Sequence, residues 1–258
     1  MRRPTSFDRR TIVAGLGATL LAGLHRPAMA QRTYESQSPR TFAPNEVVSA
    51  GHRFFGGTSR GLANLVERAT QQWGRPTAYI LGQEGSGAFV AGLPSWCVLI
   101  GLVKDGKPIL GVIDQPWLDE RYVGVGDEAW LECRGERTPL KTRDCPRLTE
   151  AVLSTTDPFI LTAPERGAFE HIRATARLTR YGLDAYAYAR LAAGTIDMVT
   201  ETGLKPHDVA ALFPVIEGAG GVITDWRGNP AQLGGQIVAA ANRKILDEAL
   251  VSLRRSAL

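Results

Sequence analysis

Cysteine is scarce, with three in 258 residues: Cys97, Cys133 and Cys145. No Cys/His spacing suits zinc, so a zinc-stapled fold is excluded. Cys97 lies in the apolar run "WCVLIGLV" and reads as core. Cys133 and Cys145 are left with two states, joined in an oxidising compartment or free, because pairing is not readable from spacing. Internal repeats and low-complexity stretches are missing. So is an apolar run long enough to cross a membrane: Ile12 to Leu24 falls short of the roughly 20 residues required. A charge excess of one sign is also missing, once the amino terminus is set aside. The chain carries 30 Lys+Arg against 26 Asp+Glu. Five of those arginines and one aspartate lie in residues 1–30, which leaves 25 basic and 25 acidic residues beyond them. The basic pI therefore gives no support for a nucleic-acid partner.

Residues 1–30 follow the grammar of an export signal: a basic start, the apolar run, and the small-x-small ending Ala28-Met29-Ala30. Arg9-Arg10 before Thr11-Ile12-Val13 resembles a twin-arginine signal, and Arg26 fits that route. A periplasmic protein without stable membrane insertion after cleavage is the expectation. Residues 31–44 are polar and read as a flexible lead-in, which leaves 45–258 as a single domain with enough chain for a substantial core.

Within that domain Ser59 is placed to cap a helix whose Leu62, Leu65, Val66 and Ala69 share one face. "TAYILG" reads as a strand. "WCVLIGLV" and "PILGVID" flank an Asp-Gly turn, a strong hairpin signal, and "ERYVGVGDEAWLEC" reads as further strand pairing. The second half alternates: strand 151–156, helix 164–178, helix 184–194, strand 195–201, helix 205–221, two strands, and a closing helix 243–255. Hairpins first and β/α units later predict a layered α/β (α+β) sandwich.

Polar residues concentrate at three backbone turns: Gln83-Glu84-Gly85-Ser86-Gly87, Asp184 at a helix start, and Glu201, at a strand end, with Asp208, at the next helix start. Each has a bland reading. The glycine loop suits a tight turn, Glu201 a solvated rim acid, and Asp208 a first-turn carboxylate stabilised by the helix dipole by roughly 0.3–1 kcal/mol.

The surrounding words point further. "GLKPHDVAALFPVIEGAGGVITDWRG", "YGLDAYAYARLAAGTIDMVTE" and "AGLPSWCVLIGLVKDGKPILGVIDQPWLDERYVGVG" resemble the inositol monophosphatase family, most of all its histidinol-phosphatase branch. The resemblance implies an αβαβα sugar-phosphatase fold and Mg²⁺-dependent hydrolysis of a small phosphomonoester. By the same resemblance Asp208 is a metal ligand, Glu84 a metal-binding catalytic acid, Gly85 and Ser86 a phosphate contact, and Asp184 and Glu201 substrate contacts. A homodimer is compatible with it.

The upstream motifs depart from that pattern. The family's Gly-Glu-Glu and Asp-Pro-Ile-Asp-Gly-Thr motifs should be separate, yet "GQEGSGAFVAGLP" runs them together. Either Gln83 replaces the ligand glutamate, or Glu84-Gly85-Ser86 stands in for Asp-Gly-Thr. Both alignments read the loop as a fusion by deletion. The Thr-Glu-Ala-Asp element that positions the attacking water has no match either, with Leu62 or Ala63 in place of its aspartate. Three outcomes are open: an impaired Mg²⁺ phosphatase, an exported pseudophosphatase that binds a phosphate or polyol ligand, or a decaying copy with a damaged core.

Overall fold

The two kinds of sequence pattern form two different sheets. The computed structural model describes residues 41–47, 49, 60–84 and 86–258. The expected signal, Ser59 and Gly85 lie outside the described residues, as do the side chains of Gln83, Glu84 and Ser86. After helix α1 (Arg60–Trp73), six strands form an antiparallel sheet in chain order: β1 (Ala78–Glu84), β2 (Cys97–Lys104), β3 (Lys107–Gln115), β4 (Glu120–Val125), β5 (Glu128–Cys133) and β6 (Glu136–Pro139). A short helix, α2 (Ser86–Val90), joins β1 to β2. The β2–β3 hairpin turns on Asp105 and Gly106, both at positive φ (50° and 77°), as its Asp-Gly signal requires.

The remaining chain builds a mixed sheet. Its elements are β7 (Val152–Thr155), α3 (Ala163–Thr175), β8 (Leu178–Tyr181), α4 (Ala185–Ala192), β9 (Met198–Leu204), α5 (Pro206–Val209), α6 (Leu212–Gly218), β10 (Val222–Asp225), β11 (Gly235–Ala240) and α7 (Arg243–Leu253). The order is β10-β11-β9-β7-β8, with β7 parallel to both β8 and β9.

Both faces of each sheet are covered, so the central strands read as apolar runs rather than clean alternations. Val66 and Ala69 of α1 pack on Leu102, Leu110, Val112 and Val123 of the first sheet. Its other face (Leu99, Ile113, Tyr122) meets α4 and α6, and the second sheet meets the same helices through Val199, Ile237 and Ala239. Phe169 and Ile172 of α3 and Leu246 and Leu250 of α7 close the far side over Leu153, Met198 and Val238. The layers are α, β, α, β, α, as expected.

The middle helices come within backbone contact of the first sheet because it presents a track of glycines. A Cβ on Gly101, Gly111 or Gly124 would lie 2.9, 2.0 or 2.1 Å from Ala210 Cβ, Ala211 O or Pro214 O. These three glycines are cross-strand partners in register. Gly82 on β1 extends the track, with a Cβ there 2.3 Å from His207 O.

Three element boundaries differ from expectation. Helix 205–221 divides at Ala210-Ala211, because Pro214 has no N–H to return to the Ala210 carbonyl. Helix 164–178 stops at Thr175, and the short strand β8 follows it. Strand β9 starts and ends three residues later than 195–201, which carries Glu201 into the strand's interior. The lead-in also packs sooner than expected, since Phe42 meets Tyr79 edge-on with ring centroids 5.0 Å apart. Cys133 and Cys145 are not joined by a disulfide, so the pairing alternative is not adopted.

Candidate functional site

The carboxyl ends of the parallel strands β8, β7 and β9 lie side by side, the position where open α/β sheets place ligands. Thr156 leaves β7 next to Glu201 of β9, because the register Leu153 to Met198 and Ser154 to Val199 continues into that pair. The Thr156 N–H and hydroxyl donate to Glu201 Oε1 at 2.8 and 2.9 Å. Strand alternation turns Glu201 toward the middle helices and Thr202 toward α3, where its hydroxyl donates to Glu165. Glu201 is therefore a buried interior acid rather than the rim acid of its bland reading. Burial pushes its carboxyl up to about 7, against the two Thr156 hydrogen bonds, and the nearby Asp184 adds to the rise.

Asp184 precedes α4 at φ 48°, an uncommon backbone conformation for a residue other than glycine. Burial raises its pKa, and a hydrogen bond from Thr156 opposes the rise. Thr156 is thus the hinge between the two acids, a role that gave no signal in the sequence. A second unforeseen cluster fixes α4 from the other sheet. Glu120 Oε2 accepts from the Tyr122 hydroxyl at 2.6 Å and from the Tyr186 hydroxyl at 2.8 Å, and Arg190 Nη1 donates to the Tyr122 oxygen at 3.2 Å. Burial and the acceptor Glu120 push Tyr186 up to about 12, and raise Tyr122 as well. Both phenols stay protonated and donating through the physiological range.

Asp208 stands in the first turn of α5, where its Oδ2 accepts from the Lys205 N–H at 2.7 Å. Its Oδ1 lies 3.4 Å from His207 Nε2. The contact between Gly82 and His207 brings the last turn of strand β1 to the head of this helix. Glu84 ends that strand, paired with Cys97, while its side chain and Gly85 lie outside the described residues. The structure therefore brings Glu201, Asp184 and Thr156 together. It places Asp208 at the adjoining layer, next to the strand that carries Glu84.

Comparison with known proteins decides the family. The family model described as "Inositol monophosphatase family" matches residues 85–258, about two thirds of the chain. The chain belongs to the inositol monophosphatase family. It is 42% identical over 179 residues to the chloroplastic bifunctional phosphatase IMPL2 of Arabidopsis thaliana, a match covering 66% of this chain and 51% of that protein. It is 33% identical over 174 residues to the histidinol-phosphatase of Mycobacterium tuberculosis, covering 66% of each. The chain thus spans about half the length of the first of these relatives and just under two thirds of the second. An inositol monophosphatase structure from Zymomonas mobilis superposes with a TM-score of 0.64 at 34% identity, covering 89% of both chains. A second family model, "Envelope integrity protein A", matches residues 40–95.

The family is generally metal-dependent, which makes the donor set a test. Among the described residues no group of three or more His, Cys, Asp or Glu side chains could hold a metal ion. Asp208 has one carboxylate oxygen committed to its own helix. Mg²⁺ asks for several hard oxygens in near-octahedral array. The described residues do not fit a Mg²⁺ centre, so no reaction step is routed through one.

Proposed function

We propose that the protein binds a small phosphomonoester or polyol as an exported pseudophosphatase, with the organic part of the ligand held at Glu201 and Asp184. The observation that carries the reading is the contrast within one site. The Glu201–Thr156–Asp184 cluster is fully assembled, whereas the described residues offer no metal-binding group. A buried carboxyl that titrates near 7 can accept from a ligand hydroxyl or, when ionised, pair with a ligand ammonium. That chemistry suits an inositol phosphate or histidinol phosphate, in line with the printed activities of the relatives. Export is supported by the signal-like residues 1–30, and the match of residues 40–95 to an envelope protein family agrees with a periplasmic location.

The test is thermal melting of the purified protein with histidinol phosphate, inositol 1-phosphate and free inositol, alongside phosphate release at millimolar Mg²⁺. Stabilisation that weakens at least tenfold in apparent affinity in Glu201→Gln, without turnover, is the expected result. Lack of any shift across the three ligands would sink the binding reading. Mg²⁺-dependent phosphate release would replace it with an impaired hydrolase using Asp208 and Glu84. That second reading is favoured by the seating of β1 against the head of α5.

A further inference from the structure

Asp184 carries backbone strain beside Thr156 and Glu201. Its dihedrals, φ 48° and ψ −136°, lie outside the left-handed helical region that aspartate tolerates. They lie near the first central position of a type II′ turn, where glycine is the usual residue because it has no Cβ to clash. The Tyr186 N–H donates to the Leu183 carbonyl at 3.0 Å and closes that turn. A non-glycine residue persists in so sparse a region only when its surroundings hold it there.

Both sides of the turn are anchored. Before it, the Gly182 N–H donates to the Thr156 carbonyl at 2.9 Å, and the Ser95 hydroxyl donates to the Gly182 carbonyl at 3.4 Å. After it, the Tyr186 hydroxyl crosses between layers to Glu120 Oε2 at 2.8 Å. The fully buried Tyr122 donates to the same oxygen, and Arg190, one helical turn beyond Tyr186, donates to the Tyr122 hydroxyl. Asp184 thus sits midway between two fixed points, Gly182 tied to β7 and Tyr186 tied to β4. The packing of Tyr186 does not need its hydroxyl. Its ring meets Tyr122 edge-on with centroids 6.4 Å apart, and the Arg190 guanidinium lies 5.9 Å from its centre. The hydroxyl adds direction, not volume. The carboxyl placed by this arrangement shares the Thr156 hydroxyl with Glu201.

We infer that Glu120 and Tyr186 are positioning residues for the ligand site: their hydrogen bond holds Asp184 in a strained turn that keeps its carboxyl beside Glu201. The inference rests on the proposed ligand reading for its functional half, since acids arranged in advance raise affinity only where a ligand meets them. Stability and binding then oppose each other at this turn. Releasing it relaxes the backbone and disperses the acids.

Melting of Asp184→Gly and Asp184→Asn tests the strain. Both variants remove the charge. At an ordinary helix N-cap asparagine is at least as stabilising as glycine. Here glycine is expected to melt about 2–4 °C higher than asparagine. Equal melting, or the ordinary order, overturns the strain. The clamp is tested in the ligand-free protein by NMR titration of the Glu201 carboxyl. Tyr186→Phe is expected to lower the Glu201 pKa by at least about 0.5, because Asp184 leaves its side and Thr156 then donates to Glu201 alone. An unchanged titration overturns the clamp. Binding of histidinol phosphate and inositol 1-phosphate is followed in the same proteins. Tyr186→Phe should weaken it at least about tenfold, whereas Glu120→Gln, which keeps an acceptor for Tyr186, should stay within about threefold of the parent. A folded Tyr186→Phe that binds as tightly as the parent, or an equal loss in Glu120→Gln, overturns the positioning role. If the parent itself binds neither ligand, the proposed function falls, while the melting order and the Glu201 titration still decide the strain and the clamp.

Discussion

Replacing Thr156 with valine removes the hydroxyl that donates to Glu201 and faces Asp184, and leaves the backbone hydrogen bond to Glu201 in place. The Thr156 hydroxyl donates to Glu201 Oε1 at 2.9 Å, and the backbone N–H at 2.8 Å survives the substitution. Glu201 is raised from 4.5 to about 7 in the folded protein, mainly by burial. Its contribution is present in full below pH 4.5 and declines as pH rises toward 7, because the unfolded chain loses the proton first. The total decline is about 3 kcal/mol at 1.36 kcal/mol for each pKa unit. A hydrogen bond to a neutral acceptor is worth about 1 kcal/mol, and one to a charged acceptor about 1.5–3 kcal/mol. Thr156→Val should therefore cost about 1 kcal/mol at pH 5, where Glu201 is protonated. It should cost about 2 kcal/mol at pH 8.5, where the ionised carboxylate has lost a donor. The difference raises the Glu201 pKa further, by about 0.7. Urea denaturation of both proteins across pH 5–8.5 measures the two losses directly. Equal losses at the two ends, within about 0.3 kcal/mol, would show that Glu201 does not change charge in this range and would refute the reasoning.

Glu201→Gln should flatten the wild-type decline in stability between pH 4.5 and 7, read from the same denaturation series. Glu165 behaves in the opposite sense. Burial acts to raise its pKa, but hydrogen bonds from Thr202, Thr162 and Gln236 outweigh burial and hold the carboxyl at about 2. Its stabilisation is therefore present above pH 4.5 and lost as pH falls toward 2, and Glu165→Gln should remove about 1–3 kcal/mol of stability at neutral pH together with that acid limb. Gly111→Ala places a Cβ 2.0 Å from the Ala211 carbonyl oxygen, backbone against backbone, and should cost about 3 kcal/mol or prevent folding, measured as a fall in melting temperature. Thiol titration of the native protein should find Cys133 reacting readily, and Cys97 and Cys145 reacting only after denaturation, because both are buried.

The sequence showed most clearly what local physics decides. The Asp-Gly hairpin, the first-turn placement of Asp208 and the layered architecture follow from turn geometry, helix capping and alternation, and each stands in the structure. Glu201 reads locally as a strand-end acid because the limits of β9 are set by its pairing with β11 through Leu204, not by its own residues. Thr156 was invisible because its two bonds to Glu201 span 45 positions. The Glu120–Tyr186 bond spans 66. The break at Ala210-Ala211 is legible in Pro214, although the apolar periodicity of 205–221 is helical throughout. In each miss a partner distant in the chain, or one absent N–H, decided the outcome.

Chain position separates the parts of the candidate site. Thr156, Asp184, Glu201 and Asp208 all lie within one stretch of the phosphatase-family match. Their geometry is set by β7, β8, β9 and the helices that follow those strands, and among the described residues the second sheet draws no strand from before residue 152. The tie from Glu120 to Tyr186, which steadies α4, also comes from the family-matched part. None of these contacts draws on the chain before residue 85. The chain before residue 85 reaches the site only at the edge of the first sheet among the described residues, where β1 meets the head of α5 beside Asp208. A Mg²⁺ ion held at that edge would need more hard oxygen donors than Asp208 alone supplies. On the proposed reading, the buried Glu201–Asp184 pair would be unaltered by changes at that edge, so binding would outlast hydrolysis.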